Sequence, residues 1–335
     1  MIHRHLALAA AAILSTTIGL GPAAAQQEGI VVYNAQHENL TKAWADGFTA
    51  ETGIAVTLRQ GSDLEIGNQI LQEGANSPAD VFLTENSPAM VLVDTAGLLE
   101  PLPQDLLDQV PAEYRPANGH WTGIAARSTV FVYNNTKLND STLPKTMEEL
   151  ADPAWKGRWA ASPAGADFQA IVGAYLQLKG EEATAAWLKG MKENAVIVRG
   201  NRTAMASANK GEVEGALIYH YYYFGDQANT KENSGNIGVH YFRNQDPGAF
   251  ISISGGGVLA SSKHKEQAVQ FLKWVTGPGG QKVLREGNAF EYTVGKDEAA
   301  NPALTPLAEL DAPKVDPSTL DNAKVTELMT AAGLI

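Results

Sequence analysis

Short apolar runs alternate with segments of helical periodicity along the first hundred residues. The runs 30–33, 54–58 and 80–84 have the length and the β-rich composition of buried strands. Between the first two runs, Leu40 and Trp44 recur on one helical face. This β-α-β-α-β order predicts a mostly parallel sheet that is covered by helices on both faces.

The same alternation continues through the rest of the chain and predicts a second lobe. Apolar strands are predicted at 128–133, 196–198, 216–218, 239–242 and 251–253, and helices at 168–179, 181–194, 203–211 and 263–275. The segments around 127 and 243–252 lead from one lobe to the other. We therefore expect an α/β fold of two lobes, each a mixed, mostly parallel sheet flanked by helices, with a cleft between them. Lobe 1 is predicted to contain residues 26–126 and 253–303, and lobe 2 residues 127–252 and 304–335.

Three strands are followed directly by side chains that can bind metals. His37 follows the first strand and Glu85 follows the third, and ligands of such sheets bind beyond the carboxyl ends of the strands. The strand 216–218 leads into the aromatic run 219–224 (YHYYYF). A phenol has a pKa near 10, so its oxygen ionises at neutral pH only beside a strong Lewis acid such as Fe(III). The simpler interpretation of the run is an aromatic core or cleft wall.

The composition of the chain indicates its cellular compartment and limits the kinds of metal site and partner that it can have. Residues 1–25 have the basic start, apolar stretch and small-residue end of a secretory signal, which predicts cleavage after Ala25 and an exported protein. No other stretch reaches the apolar length of a membrane span. The absence of cysteine excludes disulfides and thiolate metal sites. The net charge of −12 disfavours nucleic acid and anionic membranes as partners. We also expect the protein to be a monomer.

The chain resembles the periplasmic ferric-ion-binding proteins of the ferric-binding protein A family. The resemblance lies in the stretches 32–37 (VYNAQH), 77–85 (SPADVFLTE), 96–99 (AGLL), 155–157 (WKG), 211–213 (GEV), 221–222 (YY) and 244–249 (NQDPGA). It implies the type II-like periplasmic binding protein fold, closing on Fe(III) as the transported ligand, with an inner-membrane ABC permease and its ATPase as partners. By this resemblance the metal ligands are His37, Glu85, Tyr221 and Tyr222, while Tyr219 and Tyr223 fall outside the ligand pair.

The resemblance also implies a synergistic anion, but the chain departs from the phosphate-binding pattern of the family. Where that pattern has a Ser-Gly-Ala helix start, this chain has Gly165, Ala166 and Asp167, and only one of two expected asparagines is present, as Asn201. Backbone N–H groups at this helix start could still bind an anion. Arg127 and Arg202 are further candidate partners, since a guanidinium binds carbonate or carboxylate in bidentate fashion. Phosphate, carbonate and citrate stay open as the anion.

Two other functions are compatible with part of the pattern. A binding protein for an organic cation or a phosphonate, such as thiamine, a polyamine or an aminophosphonate, would share the fold and could use the tyrosine run for cation–π recognition. Such a cage does not need an imidazole. A secreted hydrolase would need a nucleophile or zinc motif, and the sequence has no G-x-S-x-G, no H-E-x-x-H and no cysteine. We therefore expect that the protein is not an enzyme.

Overall fold

A computed structural model describes residues 29–335, so the predicted signal peptide 1–25 and its cleavage site lie outside the described residues. The strands are Ile30–Asn34 (β1), Val56–Gln60 (β2), Val81–Leu83 (β3), Trp121–Asn134 (β4), Trp159–Ala161 (β5), Val196–Ile197 (β6), Gly215–Tyr219 (β7), Ile237–His240 (β8) and Ile251–Val258 (β9). The α-helices are Glu38–Thr52 (α1), Asp63–Glu73 (α2), Ser87–Thr95 (α3), Gln104–Leu107 (α4), Ala166–Lys179 (α5), Glu181–Asn194 (α6), Asn201–Lys210 (α7), His220–Asn229 (α8), Lys265–Thr276 (α9), Pro278–Glu286 (α10) and Asn322–Ala331 (α11).

The strands form one mixed sheet in the order β2-β1-β3-β9-β4-β7-β5-β6, and β8 pairs with β4 outside this path. β1 is parallel to β2 and β3, and β5 is parallel to β6 and β7. The long strands β4 and β9 run antiparallel to their neighbours and to each other. The predicted α/β class with mixed sheets is thus confirmed, while the predicted lobe boundaries stay a prediction.

β4 is the strand that the two ends of the sheet share. Its first part, from Trp121 to Ser128, pairs with β9, and its second part, from Thr129 onward, pairs with β7 and β8. Both β4 and β9 are longer than the sequence predicted, because small residues interrupt their apolar pattern. In β9 this smallness is required: a Cβ atom on Gly256 would lie 2.8 Å from Ile124 Cγ2.

The apolar face of α1 packs as the helical periodicity predicted. Leu40, Trp44 and Phe48 are buried, and burying each of them contributes roughly 1.5–3 kcal/mol. The Phe48 ring meets that of Phe271 from α9 edge to face, with centroids 5.3 Å apart. This packing fixes α1 on the sheet, so that its N-terminus lies at the carboxyl end of β1. Within residues 29–335, no helix has the length and apolar character that a membrane crossing requires.

Candidate metal centre

Three connections deliver the predicted ligands to one cleft. His37 is the residue before α1, Glu85 follows β3, and α8 begins directly after β7, so that Tyr221 and Tyr222 lie in its first turn. The cleft between them has a volume of about 820 Å³, and all four side chains line it. The placement follows from the topology, because β1 and β3 are parallel neighbours whose carboxyl ends meet at one edge.

The polar atoms of the predicted ligands converge within hydrogen-bonding distance. His37 Nε2 lies 3.0 Å from Glu85 Oε1, and the Tyr221 hydroxyl donates to the same oxygen at 2.9 Å. The rings of Tyr221 and Tyr222 lie with their centroids 4.3 Å apart. Tyr223 instead turns its ring toward Phe224, at 5.3 Å, and does not line the cleft. The structure therefore brings together all four residues that the family resemblance implied as ligands.

A buried carboxylate that the sequence analysis did not single out fixes the turn carrying Glu85. Asp63, the first residue of α2, accepts hydrogen bonds from the backbone N–H groups of Glu85 and Asn86, at 2.8 and 2.9 Å. Two bonds to consecutive amides hold the backbone after β3 in one conformation. The backbone that carries the Glu85 side chain into the cleft is therefore held in place by hydrogen bonds.

Asp167 lies against the tyrosines at the position where the sequence predicted an anion site. Its Oδ2 accepts hydrogen bonds from the Tyr222 hydroxyl at 3.2 Å and from Asn201 Nδ2 at 2.8 Å. The Tyr221 hydroxyl lies 3.1 Å from the same oxygen and shares its one proton between Asp167 and Glu85. Its Oδ1 accepts from Asn86 Nδ2 at 3.1 Å. Gly165 and Ala166 do form the N-terminus of α5, as expected, and this end favours negative charge. The carboxylate of Asp167 already supplies that charge.

The two predicted arginine partners have different surroundings. Arg127 is fully buried: its Nη2 donates to Glu291 Oε2 at 2.6 Å and to Gln36 Oε1 at 3.3 Å. Its guanidinium lies 5.7 Å from the centre of the Tyr221 ring. Arg202 is exposed, lines the cleft and lies 5.7 Å from the centre of the Tyr222 ring. Of these two arginines, only Arg202 is accessible to an anion in solution.

Two further buried side chains, Glu291 and His220, support the site, and the sequence analysis did not identify Glu291. Glu291 Oε1 lies 3.0 Å from His37 Nδ1, on the side of the imidazole opposite Glu85. His220 Nδ1 accepts a hydrogen bond from the backbone N–H of Ser128 in β4, at 3.1 Å. Burial lowers the pKa of His220 to about 4, so this imidazole is neutral. Glu291 stands alone in an irregular segment, without a periodic pattern that would have marked it.

Carboxylates dominate the electrostatics of the cleft. Burial alone would lower the pKa of His37, but Glu291 and Glu85 outweigh it and raise that pKa to about 10. Burial would raise the pKa of Glu85, but His37 and Arg127 lower it to about 2. Burial and the neighbouring Asp167 charge raise the pKa of Tyr221 well above its ordinary value. A metal ion must therefore displace protons from the phenols to bind them.

The donor set selects a hard, highly charged cation. Within residues 29–335, no three His, Asp or Glu side chains form a group placed to hold a metal ion. A metal ion in this cleft would therefore need the oxygens of Tyr221 and Tyr222 in addition to His37 and Glu85. Phenolate and carboxylate oxygens with one imidazole are hard and borderline donors, and only a strong Lewis acid ionises phenols whose pKa is raised by burial.

Comparison with known proteins supports this chemistry. Residues 76–317 match the family model described as bacterial extracellular solute-binding protein. The chain is 64% identical to an Fe(3+)-binding periplasmic protein of Serratia marcescens, over 93% of each chain, and 36% identical to the major ferric iron-binding protein of Neisseria meningitidis serogroup A, over 98% of each. The crystal structure of iron-bound HitA from Pseudomonas aeruginosa superimposes with a TM-score of 0.85 at 40% identity, covering 91% of this chain and 99% of that one.

These similarities extend over nearly the whole described chain, so the two-lobed fold that the sequence predicted is confirmed. The matching family is one of solute-binding proteins. This chain therefore belongs to the bacterial extracellular solute-binding proteins and, among them, to the family of periplasmic ferric-binding proteins.

Proposed function

We propose that this protein captures Fe(III) in the periplasm between its two lobes and delivers it to an inner-membrane ABC permease with its ATPase. The observation that carries the proposal is the convergence of His37 and Tyr221 on one oxygen of Glu85, each within about 3 Å, with the Tyr222 ring beside that of Tyr221 at 4.3 Å. The ferric-binding names of the relatives support the choice of metal. Export through the predicted signal peptide and a monomeric state belong to the same proposal.

The donor set balances the charge of the ion. Two phenolates, one carboxylate and one neutral imidazole supply three negative charges to a trivalent cation, which avoids uncompensated charge in a partly desolvated cleft. His37 and Glu85 follow strands at one end of the sheet, whereas the tyrosines follow β7 at the other end. Binding that joins both ends makes lobe closure depend on the metal. A transporter can then distinguish loaded from empty protein.

Asp167 bears on the anion. Its carboxylate lies within hydrogen-bonding distance of both tyrosine hydroxyls, which is where an exogenous anion would meet the ion. We propose that Asp167 takes the place of that anion, and that Fe(III) binds without added phosphate, carbonate or citrate. Like charges at one site repel, which disfavours an anion beside Asp167. An anion that does enter would pair with Arg202.

The anion proposal is tested by measuring ferric affinity in a buffer free of phosphate and carbonate, and again after adding each one. The affinity of the native chain should not change. The variant Asp167→Ala opens the position and should lose affinity by at least about tenfold, the lower bound for partners that surround a ligand shell, and should recover part of it on adding bicarbonate. An affinity of the native chain that rises with either anion would contradict the proposal and restore the synergistic anion.

The alternative function, binding of an organic cation or a phosphonate, is not favoured. The relatives from Serratia marcescens and Neisseria meningitidis carry ferric names. The imidazole, carboxylate and phenol groups meet at one point rather than forming an open aromatic wall. A binding role without catalysis is also consistent with the solute-binding family.

A visible absorbance titration of the metal-free protein with a ferric salt tests the function. Phenolate-to-iron charge transfer should give a broad band that saturates at one equivalent. Tyr221→Phe and Tyr222→Phe should each weaken the band and lower the affinity sharply, because each removes one phenolate. Tyr223→Phe is the matched control, since its ring packs away from the cleft. The absence of a band in the native protein, or equal losses in all three variants, would refute the ferric site.

A further inference from the structure

Glu291 is a fully buried carboxylate at the back of the proposed iron site. Its Oε1 lies 3.0 Å from His37 Nδ1, and its Oε2 accepts hydrogen bonds from Arg127 at 2.6 Å and from Gln36 Nε2 at 3.2 Å. The side chain is completely inaccessible to solvent. It therefore cannot reach an ion in the cleft except through the imidazole of His37.

The backbone around Glu291 is held so that this side chain points inward. Phe290 adopts φ = 54°, a left-handed conformation that is unfavourable for a bulky residue. Tyr292 exchanges two backbone hydrogen bonds with Ala126 in β4, at 2.8 and 3.0 Å. The Phe290 ring also stacks on Phe224 of α8, with centroids 6.2 Å apart. Because contacts on both sides of Glu291 maintain a strained conformation, its position is fixed.

A carboxylate next to Nδ1 determines which nitrogen of the imidazole is available to a metal ion. A neutral imidazole has one N–H donor and one acceptor nitrogen, and the hydrogen bond to one nitrogen determines which form is present. Glu291 Oε1 faces Nδ1 as an ion-pair contact at 3.0 Å, without a hydrogen bond of suitable angle. Its negative charge favours keeping the imidazole proton on Nδ1, so the lone pair that would bind a metal ion forms on Nε2. Nε2 is the nitrogen that faces Glu85, at 3.0 Å. Histidines that bind metals usually donate their other N–H to a carboxylate, carbonyl or water, and that partner increases their basicity as ligands.

From this geometry we infer that Glu291 is a positioning residue for iron binding, which holds His37 by Nδ1 so that Nε2 is presented to the ion. The inference rests on the proposed function, because it requires that His37 binds the metal. Arg127 and Gln36 hold the far oxygen of Glu291 and thus set the direction of the near one. The competing explanation is structural: Glu291 would serve only to neutralise the buried Arg127.

A double-mutant cycle separates the two explanations. Ferric affinity is measured by competition with citrate in the native chain, Glu291→Gln, His37→Gln and the combined variant. Glu291→Gln should lower the affinity roughly 10- to 100-fold in the native background, the usual effect of such a partner, and change it little in the His37→Gln background. Equal losses in both backgrounds, or no loss in either, would overturn the inference.

A spectroscopic measurement adds a quantity that would not change if Glu291 only neutralised Arg127. The pulsed-EPR coupling of ferric iron to an imidazole nitrogen should weaken in Glu291→Gln. Glu214→Gln is the matched control: Glu214 also pairs with an arginine, Arg158, at 2.6 Å, but it does not line the cleft. The coupling should be unchanged there, and an unchanged coupling in Glu291→Gln as well would contradict the positioning role.

A second variant keeps the test valid if Glu291→Gln does not fold, because it removes the charges of both Glu291 and Arg127. If Glu291→Gln fails to fold, the pair Glu291→Gln with Arg127→Met replaces it, since an ion pair can be exchanged for uncharged groups when both partners change. The same cycle against His37→Gln is then measured in that background, with the same expected and contradicting results. Absence of the charge-transfer band in the native protein would refute the ferric site itself. A native band combined with equal losses would refute only the role of Glu291.

Discussion

Two buried carboxylates lie behind the cleft, and their surroundings differ. Glu291, behind His37, is bonded to the guanidinium of Arg127. Asp167, behind the tyrosines, accepts its hydrogen bonds from amide and phenol groups, and no hydrogen bond of the described residues joins it to a cation. One carboxylate therefore has its countercharge inside the protein, whereas the other lacks one until a cation enters the cleft.

The difference appears in the acidity of the two groups. Burial would raise the pKa of Glu291, but Arg127 and His37 outweigh it, and the pKa is lowered. Burial and the charge of Glu85 raise the pKa of Asp167 to about 6, and Arg127 offsets this only in part. The histidine half of the site is thus electrostatically complete without metal. The tyrosine half carries the unfavourable charge of Asp167, which a cation bound there would offset.

We expect the largest effect from the substitution Arg127→Met, because it deprives Glu291 of its buried countercharge. Removing one partner of a buried ion pair costs about 3–5 kcal/mol. We expect a loss of this size in the free energy of unfolding, measured by urea denaturation of the metal-free protein. Arg158→Met is the control: its partner Glu214 is partly exposed, so the loss should not exceed about 1 kcal/mol. Equal losses would show that burial does not distinguish the two pairs.

The variant Asp167→Asn should change how the free energy of unfolding depends on pH. A carboxyl whose pKa is raised by folding binds protons more tightly in the folded state, so its contribution to stability falls as pH rises from its ordinary pKa to about 6. The native chain should therefore lose stability, relative to Asp167→Asn, between pH 4 and pH 7. Subtracting the two curves removes the similar contribution of Asp63, whose pKa is raised to about 7. A constant difference between the unfolding free energies would contradict the unfavourable charge of Asp167.

The smallest effect is expected for Tyr219→Phe, which changes a neighbour on the Asp167 side alone. The Tyr219 hydroxyl makes long hydrogen bonds, to Asn86 Oδ1 at 3.4 Å and to the Asp167 carbonyl at 3.3 Å. We expect a loss of about 1 kcal/mol in the free energy of unfolding. The charge-transfer band should keep its wavelength, because the family resemblance places Tyr219 outside the ligand pair. A shifted band would place this tyrosine in the coordination shell.

The sequence predicted the parts of the molecule that depend on local patterns. The apolar run 81–83 is completely buried, and His37 and Glu85 meet because parallel strands bring their ends together. The strands β4 and β9 were predicted too short, since glycines and alanines weaken a strand signal even where close packing demands them. Gly256, which Ile124 approaches, is the clearest case.

The supporting residues of the site could not be predicted in the same way. Glu291 and His37 are 254 positions apart in the chain, and no periodic pattern connects them. Asp167 was recognised as a departure from the phosphate pattern, but its contact with both phenols depends on how α5 meets α8. Such contacts arise from tertiary packing, which a single sequence does not display.

The hydrogen bond between His220 and the backbone of Ser128 has a mechanical consequence. Ser128 is the last residue of β4 that pairs with β9, and Thr129 is the first that pairs with β7, so a rotation of the lobes would bend the strand here. His220 adjoins Tyr221 at the start of α8, so this hydrogen bond joins the chain beside the phenol to that point of β4. The phenol is thereby tied to the point where β4 changes partners, and a bend of the strand at that point would displace both together.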